Sequence, residues 1–555
     1  MKVVLLQPPV RDFYDTKVRL QPLGLAYLKA AVQARVPGAQ VVVRDFRQGR
    51  GRHTVALPRE LAHLREYYPF SDQSPFSTFH GYYHFGADFD DLAAEVAAER
   101  PDLVGISSLF SAYHREALAC AQAIRRLLPV PVVAGGAHAS AVPESLFRTP
   151  GVDFVILGEG ERPLVELVRT LAAGGDPGRV PNLAFRRAGE VVRTPREPNF
   201  PLAELPPPDL SDLPPGRYRL GPKPLAAVLS SRGCPRRCSF CAVHEVFREG
   251  YRRRPAEDVA AELRVRWDAG YRAFDFEDDN LTADREGAAA LFRALLAAFG
   301  EDTLTLHAMN GVSWDTLDPE LLSLIARAGF SHLNLSLVSA SPEACRRAGR
   351  AGDRGAFQRV VGAAAALGLR VVAYQILGLP EEDPSGMAEA LAYLGRLPVL
   401  IGASPFYLPP GSPLARGLAA SDGTEPDETA LVRVRLTALG TDPDPGARDA
   451  IYTLFVTARI LNFLKGLPTG GGRVSLCAAL SAARARGGRA ALGAEILERL
   501  LADKVLLGAA GGELKPLPRF RFPVFFAAWS SLGWVGTQDG GRLDLAQEIS
   551  SSPRG

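Results

Sequence analysis

The chain is short of cysteine, of net charge and of long apolar runs, and each shortage removes a class of protein. Six cysteines among 555 residues are too few for a disulfide framework. With 64 Lys+Arg against 61 Asp+Glu the formal charge is only +3. That balance offers no broad surface for a polyanion, so no nucleic-acid partner is expected. No uncharged apolar stretch is long enough to cross a bilayer, and no stable membrane insertion is expected. The opening MKVVLLQPPVRDF lacks the charged, apolar and cleavable regions of a secretory signal, so a soluble, cytoplasmic protein is expected. No repeat of fixed period runs through the chain.

What is present is an ordinary globular composition, 47% hydrophobic and 23% charged, long enough for three or four domains at about 150 residues each. Residues 1–175 alternate apolar runs (KVVLL, VVVRDF, LVGISS, PVVAGG, DFVILGEGE) with helical patterns. This predicts an α/β fold with a doubly wound, Rossmann-like sheet whose ligand sits at the C-terminal strand ends. The aromatic stretch from Tyr67 to Phe89 reads as a long excursion packed over one edge or mouth of that domain. Residues 176–222, with PPPDLSDLPP from Pro206, read as a Pro-rich, semi-rigid linker. A second alternation over 223–423 (AAVLSS, AFDFEDD, TLTLHAMN, HLNLSLVS, RVVAYQILGLP) predicts five or six β/α units, a full or partial barrel. Residues 424–555 read as a mainly helical C-terminal domain that shapes substrate specificity. Its apolar run FPVFFAAWSSLGW is expected to form core or a substrate-facing wall.

Half of the cysteines fall together, in SSRGCPRRCSFCAVH directly after an apolar strand. Cys234, Cys238 and Cys241 therefore share one loop at a barrel mouth. A 4Fe-4S cluster usually takes four thiolates, and three leave one iron open. The rival readings are a zinc site completed by His244 as a Cys3His set, and chance clustering of buried cysteines. Zinc sites more commonly show two separated ligand pairs, and zinc does not explain the flanking barrel pattern.

The C-x3-C-x2-C spacing resembles the radical S-adenosylmethionine superfamily. In that family the open iron binds the methionine amino and carboxylate groups, and electron transfer into the sulfonium yields a 5′-deoxyadenosyl radical. The resemblance implies a reductant partner such as flavodoxin or ferredoxin. It places Phe240 beside the adenine, where an aromatic alone would read as packing. It makes Glu277, Asp278, Asp279 and Asn280, at the end of the second barrel strand, acceptors for the cofactor's amino group. A helix cap before TADRE would account for only one or two of these four. Asn310 and Ser336, after the third and fourth strands, are further S-adenosylmethionine contacts by the same resemblance. Many relatives carry an acidic residue near the position of Val338, and LVSAS has none. Gly378 and Pro380 in ILGLPEED match the family's turn after the fifth strand and also plain turn chemistry.

The first domain resembles the cobalamin-binding domain fused ahead of many such enzymes. The likeness rests on Ser107 and Leu109 in GISSL, Gly135 and Gly136 in VVAGGAHAS, and Gly158 and Glu159 in LGEGE. It implies that these residues contact cobalamin. An ordinary strand-to-helix turn, a helix cap at Ser107, and a nucleotide or flavin ligand are the alternatives. The D-x-H-x-x-G motif that supplies a lower axial histidine elsewhere is absent, so no histidine from it is expected on cobalt. Taken together, the resemblance implies methylation of an unactivated carbon of a small-molecule or peptide substrate. Radical cyclisation, rearrangement or oxidation without methyl transfer is the alternative reaction, and a non-catalytic cobalamin or cluster sensor is the alternative class.

Overall fold

The structure, a computed structural model, describes residues 1–13, 21–77, 81–422, 431, 435–440 and 444–545. Its first unit is a seven-stranded sheet. The strands are β1 (Lys2–Gln7), β2 (Gln40–Asp45), β3 (Leu103–Ser107), β4 (Val132–Gly135), β5 (Phe154–Ile156), β6 (Leu183–Arg187) and β7 (Glu190–Arg193), in the order β7-β6-β5-β4-β3-β1-β2. β1 to β5 are parallel. Both faces of this sheet are covered. Val3, Leu5, Val41, Val43 and Leu103 pack under α1 (Leu23–Arg35) and the helix Glu161–Ala172, while Val4, Leu6, Val104 and Ile106 pack under the helices Phe89–Ala98 and His114–Leu127. Double coverage explains why KVVLL is a continuous apolar run.

The expected linker proves to be largely part of this domain. β6 and β7 add to the sheet as antiparallel strands. The two-residue turn between them, Ala188-Gly189, has both φ values positive, as a tight hairpin requires. Downstream, Tyr218 is buried and its hydroxyl donates to Asp45 (2.6 Å), and Asp212 accepts from Lys29 (2.6 Å). The proline-rich residues are thus docked on the domain. Their partners lie about 170 residues away in the chain, and local composition carries no trace of them.

The second unit is a partial barrel of six parallel strands: β8 (Lys223–Val228), β9 (Ala273–Phe276), β10 (Thr305–His307), β11 (His332–Val338), β12 (Arg370–Leu377) and β13 (Val399–Pro405). Parallel bridges Leu306–Phe330 and Val312–Leu335 join its two halves. Its helices Arg285–Phe299, Pro319–Ala328, Arg354–Ala366 and Pro384–Arg396 each begin at an aspartate (284, 318, 353, 383) whose side chain accepts from a first-turn N–H. Such caps contribute about 1 kcal/mol each.

The boundary expected at 423/424 lies outside the described residues. Beyond it, the helix Pro445–Lys465 closes the edge of β13. Asn462 bonds both the N–H and the carbonyl of Ile401 (2.8 Å each), and the Lys465 ammonium donates to four carbonyls, those of Leu394, Gly395, Leu397 and Gly536. The run FPVFFAAWSSLGW forms a helix, Phe522–Ser530, whose Phe525, Ala528 and Trp529 are buried in the core shared with the barrel helices. The excursion before Phe89 straps the units together. Tyr67 packs on Tyr452 and Phe76 on Phe463. Among the described residues no helix is long and apolar enough to cross a membrane.

Candidate active site

The first five strands run 2-1-3-4-5, so the chain reverses its direction of travel between β1 and β3. Such a switch point opens a crevice at the carboxyl ends of those strands. Ser107, Ser108 and Leu109 lie there, and the neighbouring Leu109 and Phe110 side chains are about half exposed. The Ser108 N–H donates to the Gly135 carbonyl (2.7 Å), while its buried hydroxyl has no protein partner. Gly136 has φ +127°, and an added Cβ would stand 2.6 Å from the Ser108 carbonyl oxygen. Here glycine is obligatory. Gly135 carries no such demand, since a Cβ there meets only Ile156 at 3.7 Å. Ser140 ties the surface together by donating to the Gly136 carbonyl and accepting from the Gly158 N–H (2.8 Å each).

A broad surface of bare backbone, with one orphaned hydroxyl and half-exposed apolar side chains, fits a large ligand that lies along strand ends, as a cobalamin tail does. The segment in which the axial-histidine motif would fall includes residues 14–20, outside the described residues. His138, in the GGAHAS turn, has both ring nitrogens against hydroxyls, Ser111 at 3.0 Å and Ser145 at 2.9 Å. Burial, then His114, lowers its pKa to about 3.

Glu159, expected beside cobalamin, is paired with Arg232 (2.8 Å) and Arg252 of the barrel. Buried carboxylates require ionic partners, and the two guanidiniums come from the cysteine loop's own flanks, beyond the reach of local sequence reasoning.

On the loop after β8, Cys238 is buried and Cys234 and Cys241 are partly exposed. Burial, followed by the charges of Cys238, Asp279 and Cys234, pushes the Cys241 thiol up to about 11. A thiol held neutral in this way becomes a thiolate when a cation compensates, which is what cluster iron supplies. Donors already face the sulfurs. Asn280 Nδ2 stands 3.6 Å from Cys234 Sγ, and Arg350 Nη1 stands 3.9 Å from Cys238 Sγ while Nη2 donates to the Ser336 carbonyl (2.8 Å). His244, the fourth ligand of the zinc reading, has its Nε2 on the Arg236 carbonyl (2.7 Å).

The four residues at the end of β9 divide their work. Asp278 is buried and accepts from the Ser230 N–H (3.1 Å), the Ser230 hydroxyl (2.6 Å) and the Ser231 hydroxyl, so it anchors the start of the cysteine loop. Asp279 accepts from the Gly233 N–H (3.0 Å), and crowding of its carboxylate by the surrounding protein, then Asp278, raises its pKa to about 6. Glu277 is held by Asn310 Nδ2 (3.1 Å). Asn280 has a buried side-chain carbonyl without a protein partner. None of the four is the helix cap, which is Asp284.

Phe240 packs with Val338, Ala348, Ile376, Leu379 and Phe406 as an apolar wall. Val338, β-branched, has φ +73° beside a bulge in β11, a strained conformation of the kind that collects at ligand sites. Glu382, from the next loop, accepts from Ser339 of LVSAS (2.5 Å), and burial raises the pKa of this carboxyl. Arg350, Ser108 and Glu382 escaped sequence reasoning. Ser108 is the unassigned middle residue of GISSL, and Arg350 and Glu382 lie outside the segments whose residues they contact.

The family model described as the radical SAM superfamily matches residues 228–394, and the B12 binding domain model matches 79–168. Among curated relatives, an uncharacterized methyltransferase of Pyrococcus horikoshii is 25% identical over 72% of this chain and 79% of its own length. Cytidylyl-2-hydroxyethylphosphonate methyltransferase of Streptomyces wedmorensis is 28% identical over 61% and 65%, and the anaerobic magnesium-protoporphyrin IX monomethyl ester cyclase of Rubrivivax gelatinosus 29% over 45% and 46%. The radical S-adenosylmethionine methyltransferase TsrM of Kitasatospora setae, solved with cobalamin and a 4Fe-4S cluster, shares the fold at TM-score 0.58 and 22% identity, over 76% of this chain and 78% of that one. The cobalamin-dependent enzyme OxsB does so at TM-score 0.60 and 15% identity, over 96% and 79%. The chain belongs to the radical S-adenosylmethionine enzymes that carry an N-terminal cobalamin-binding domain, and its cofactors are a 4Fe-4S cluster, S-adenosylmethionine and cobalamin.

Proposed function

We propose that the enzyme methylates an unactivated carbon of a small-molecule or peptide substrate. The observation that carries this reading is the joining of the two strand-end surfaces. The short helix Val243–Val246, directly after the third cysteine, packs on Ala137–Ala141 behind Gly136, and the Val246 carbonyl lies 3.3 Å from where a Gly158 Cβ would stand. Such an arrangement sets the cysteine loop under the crevice of the doubly wound sheet. Radical generation and group donation then share one cavity.

In this reading Cys234, Cys238 and Cys241 hold the cluster. Asn280 and Arg350 place hydrogen-bond donors on its sulfurs, which stabilises the reduced, more negative state. Glu277 and Asp279 face the cofactor's ammonium, and Asn310 orients Glu277. Phe240 and its apolar neighbours wall the adenine from water, with Ser336 at the same strand end. Ser107, Ser108, Leu109, Gly135, Gly136 and Gly158 receive cobalamin. When bound, S-adenosylmethionine and the cluster supply a 5′-deoxyadenosyl radical and cobalamin supplies a transferable methyl group. Residues 424–555 shape the substrate pocket, and flavodoxin or ferredoxin supplies electrons.

The cyclase relatives support a second reading, radical cyclisation or oxidation without methyl transfer. Anaerobic incubation with methyl-labelled S-adenosylmethionine separates the two. Label recovered on cobalamin or product is expected; 5′-deoxyadenosine formed with label on neither would sink the methyl-transfer reading.

A further inference from the structure

We propose that Arg232 is a positioning residue that locks the cysteine loop to the cobalamin-binding domain and so fixes where the cluster stands relative to cobalamin. The inference rests on the cofactor assignment above. Arg232 lies two residues before Cys234. Its side chain is 7% exposed, and it donates through Nη1 to Glu159 (2.8 Å) and through Nη2 to Glu161 (2.7 Å), each 5% exposed. Both carboxylates belong to the closing turn of the doubly wound sheet, one residue past Gly158 and at the start of the following helix. Arg232 therefore reaches from the loop of one domain to the strand-end turn of the other.

The remaining contacts stiffen this link. Glu159 also pairs with Arg252, whose backbone is the ladder partner of Arg232, and Asn199 Nδ2 donates to the second oxygen of Glu161 (2.7 Å). The Arg232 guanidinium lies over the Tyr27 ring at 5.1 Å. Glu249 pairs with Arg252 as well (3.1 Å), so three carboxylates hold the two guanidiniums. The next residue, Gly233, has φ +78° with the Gly250 carbonyl 2.3 Å from where a Cβ would be, and its N–H bonds Asp279. The single residue between the ion pair and Cys234 is thus itself held in place.

A buried ion group of this kind adds little stability over well-packed apolar residues, but it tolerates one alignment only. An apolar junction would slide, whereas a guanidinium fork shared between two fixed carboxylates would not. Misplacement by about 1 Å is enough to lower a reaction about 100-fold, so a rigid registration of two cofactors has a direct chemical use.

The test uses the full chain, reconstituted anaerobically with iron, sulfide and hydroxocobalamin, as wild type, Arg232→Lys, Arg232→Met and Glu161→Gln. The first readout is magnetic coupling between cob(II)alamin and the reduced cluster, which reports their separation. The second is hydrogen exchange of amides 233–241. Arg232→Lys is expected to keep iron and cobalamin, to broaden or lose the coupling, and to speed loop exchange at least about tenfold. Glu161→Gln should do the same to a smaller degree, and it stands as the test if either Arg232 variant fails to load. Unchanged coupling and exchange in a loaded variant would overturn the proposal. A wild-type chain that binds no cobalamin or forms no 5′-deoxyadenosine would instead overturn the cofactor reading, while exchange in the variants still reports whether Arg232 holds the loop.

Discussion

The two strand-end surfaces that face each other here are built on opposite principles. The doubly wound sheet offers absence: Gly136 and Gly158 at positive φ, an orphaned Ser108 hydroxyl, and charge directed away into the Glu159 and Glu161 ion pairs. The barrel offers presence, with three cysteines, four polar residues at the end of β9 and a guanidinium near Cys238. A large cofactor gripped along its length needs room and backbone, whereas a cluster and a sulfonium need fixed ligands and charge. Damage to the first surface should weaken binding by degrees, and damage to the second should abolish chemistry outright.

The largest effect tests the barrel side. Cys238→Ala is expected to remove the cluster, taking iron content and 5′-deoxyadenosine formation to background. Retained S-adenosylmethionine cleavage would refute the ligand assignment. Next, Gly136→Val places a branched side chain at φ +127° against the Ser108 carbonyl. Strain of about 1–3 kcal/mol predicts roughly a 10- to 100-fold loss of cobalamin affinity by absorbance titration, with iron content unchanged. Equal loss of both cofactors would break the proposed division between the surfaces.

A third prediction concerns pH. Glu116, on the helix after β3, is buried, and desolvation outweighs Arg11 and Arg115 to raise its pKa from 4.5 to about 7. The fold thus favours the protonated acid. Its contribution to stability is complete below pH 4.5 and is lost as pH rises through about 7, an upper limit of roughly 3 kcal/mol. Denaturant titration of the cofactor-free chain should show Glu116→Gln gaining on wild type between about pH 5 and 8. A pH-independent difference would place the burden elsewhere.

The smallest effect belongs to Asp278→Asn. Asparagine can accept from fewer of the three donors at Ser230 and Ser231, at a cost of about 1–3 kcal/mol. Slower cluster assembly with near-normal cobalamin binding is expected, measured by iron uptake against absorbance.

Much of this was legible along the chain. Apolar runs bounded by glycine marked the parallel strands, and the cysteine spacing marked the loop. The Pro-rich segment misled because a hairpin as short as LAFRR and EVVR has too little alternation to stand out beside so many prolines. The partner of Glu159 was not legible, because a carboxylate in a glycine turn reads the same whether or not an arginine 73 residues later meets it.

What the sequence by itself determined is therefore whatever a few consecutive residues decide: helix caps at Asp284, Asp318, Asp353 and Asp383, and three thiols within one loop's reach. Tertiary structure alone decided which polar group meets which. Arg350 approaches Cys238 from 112 residues away, and Glu382 reaches Ser339 from the neighbouring loop. Arg232 finds two carboxylates in another domain. Those pairings depend on distances across folded surfaces, and a buried charge accepts whichever partner the packing delivers.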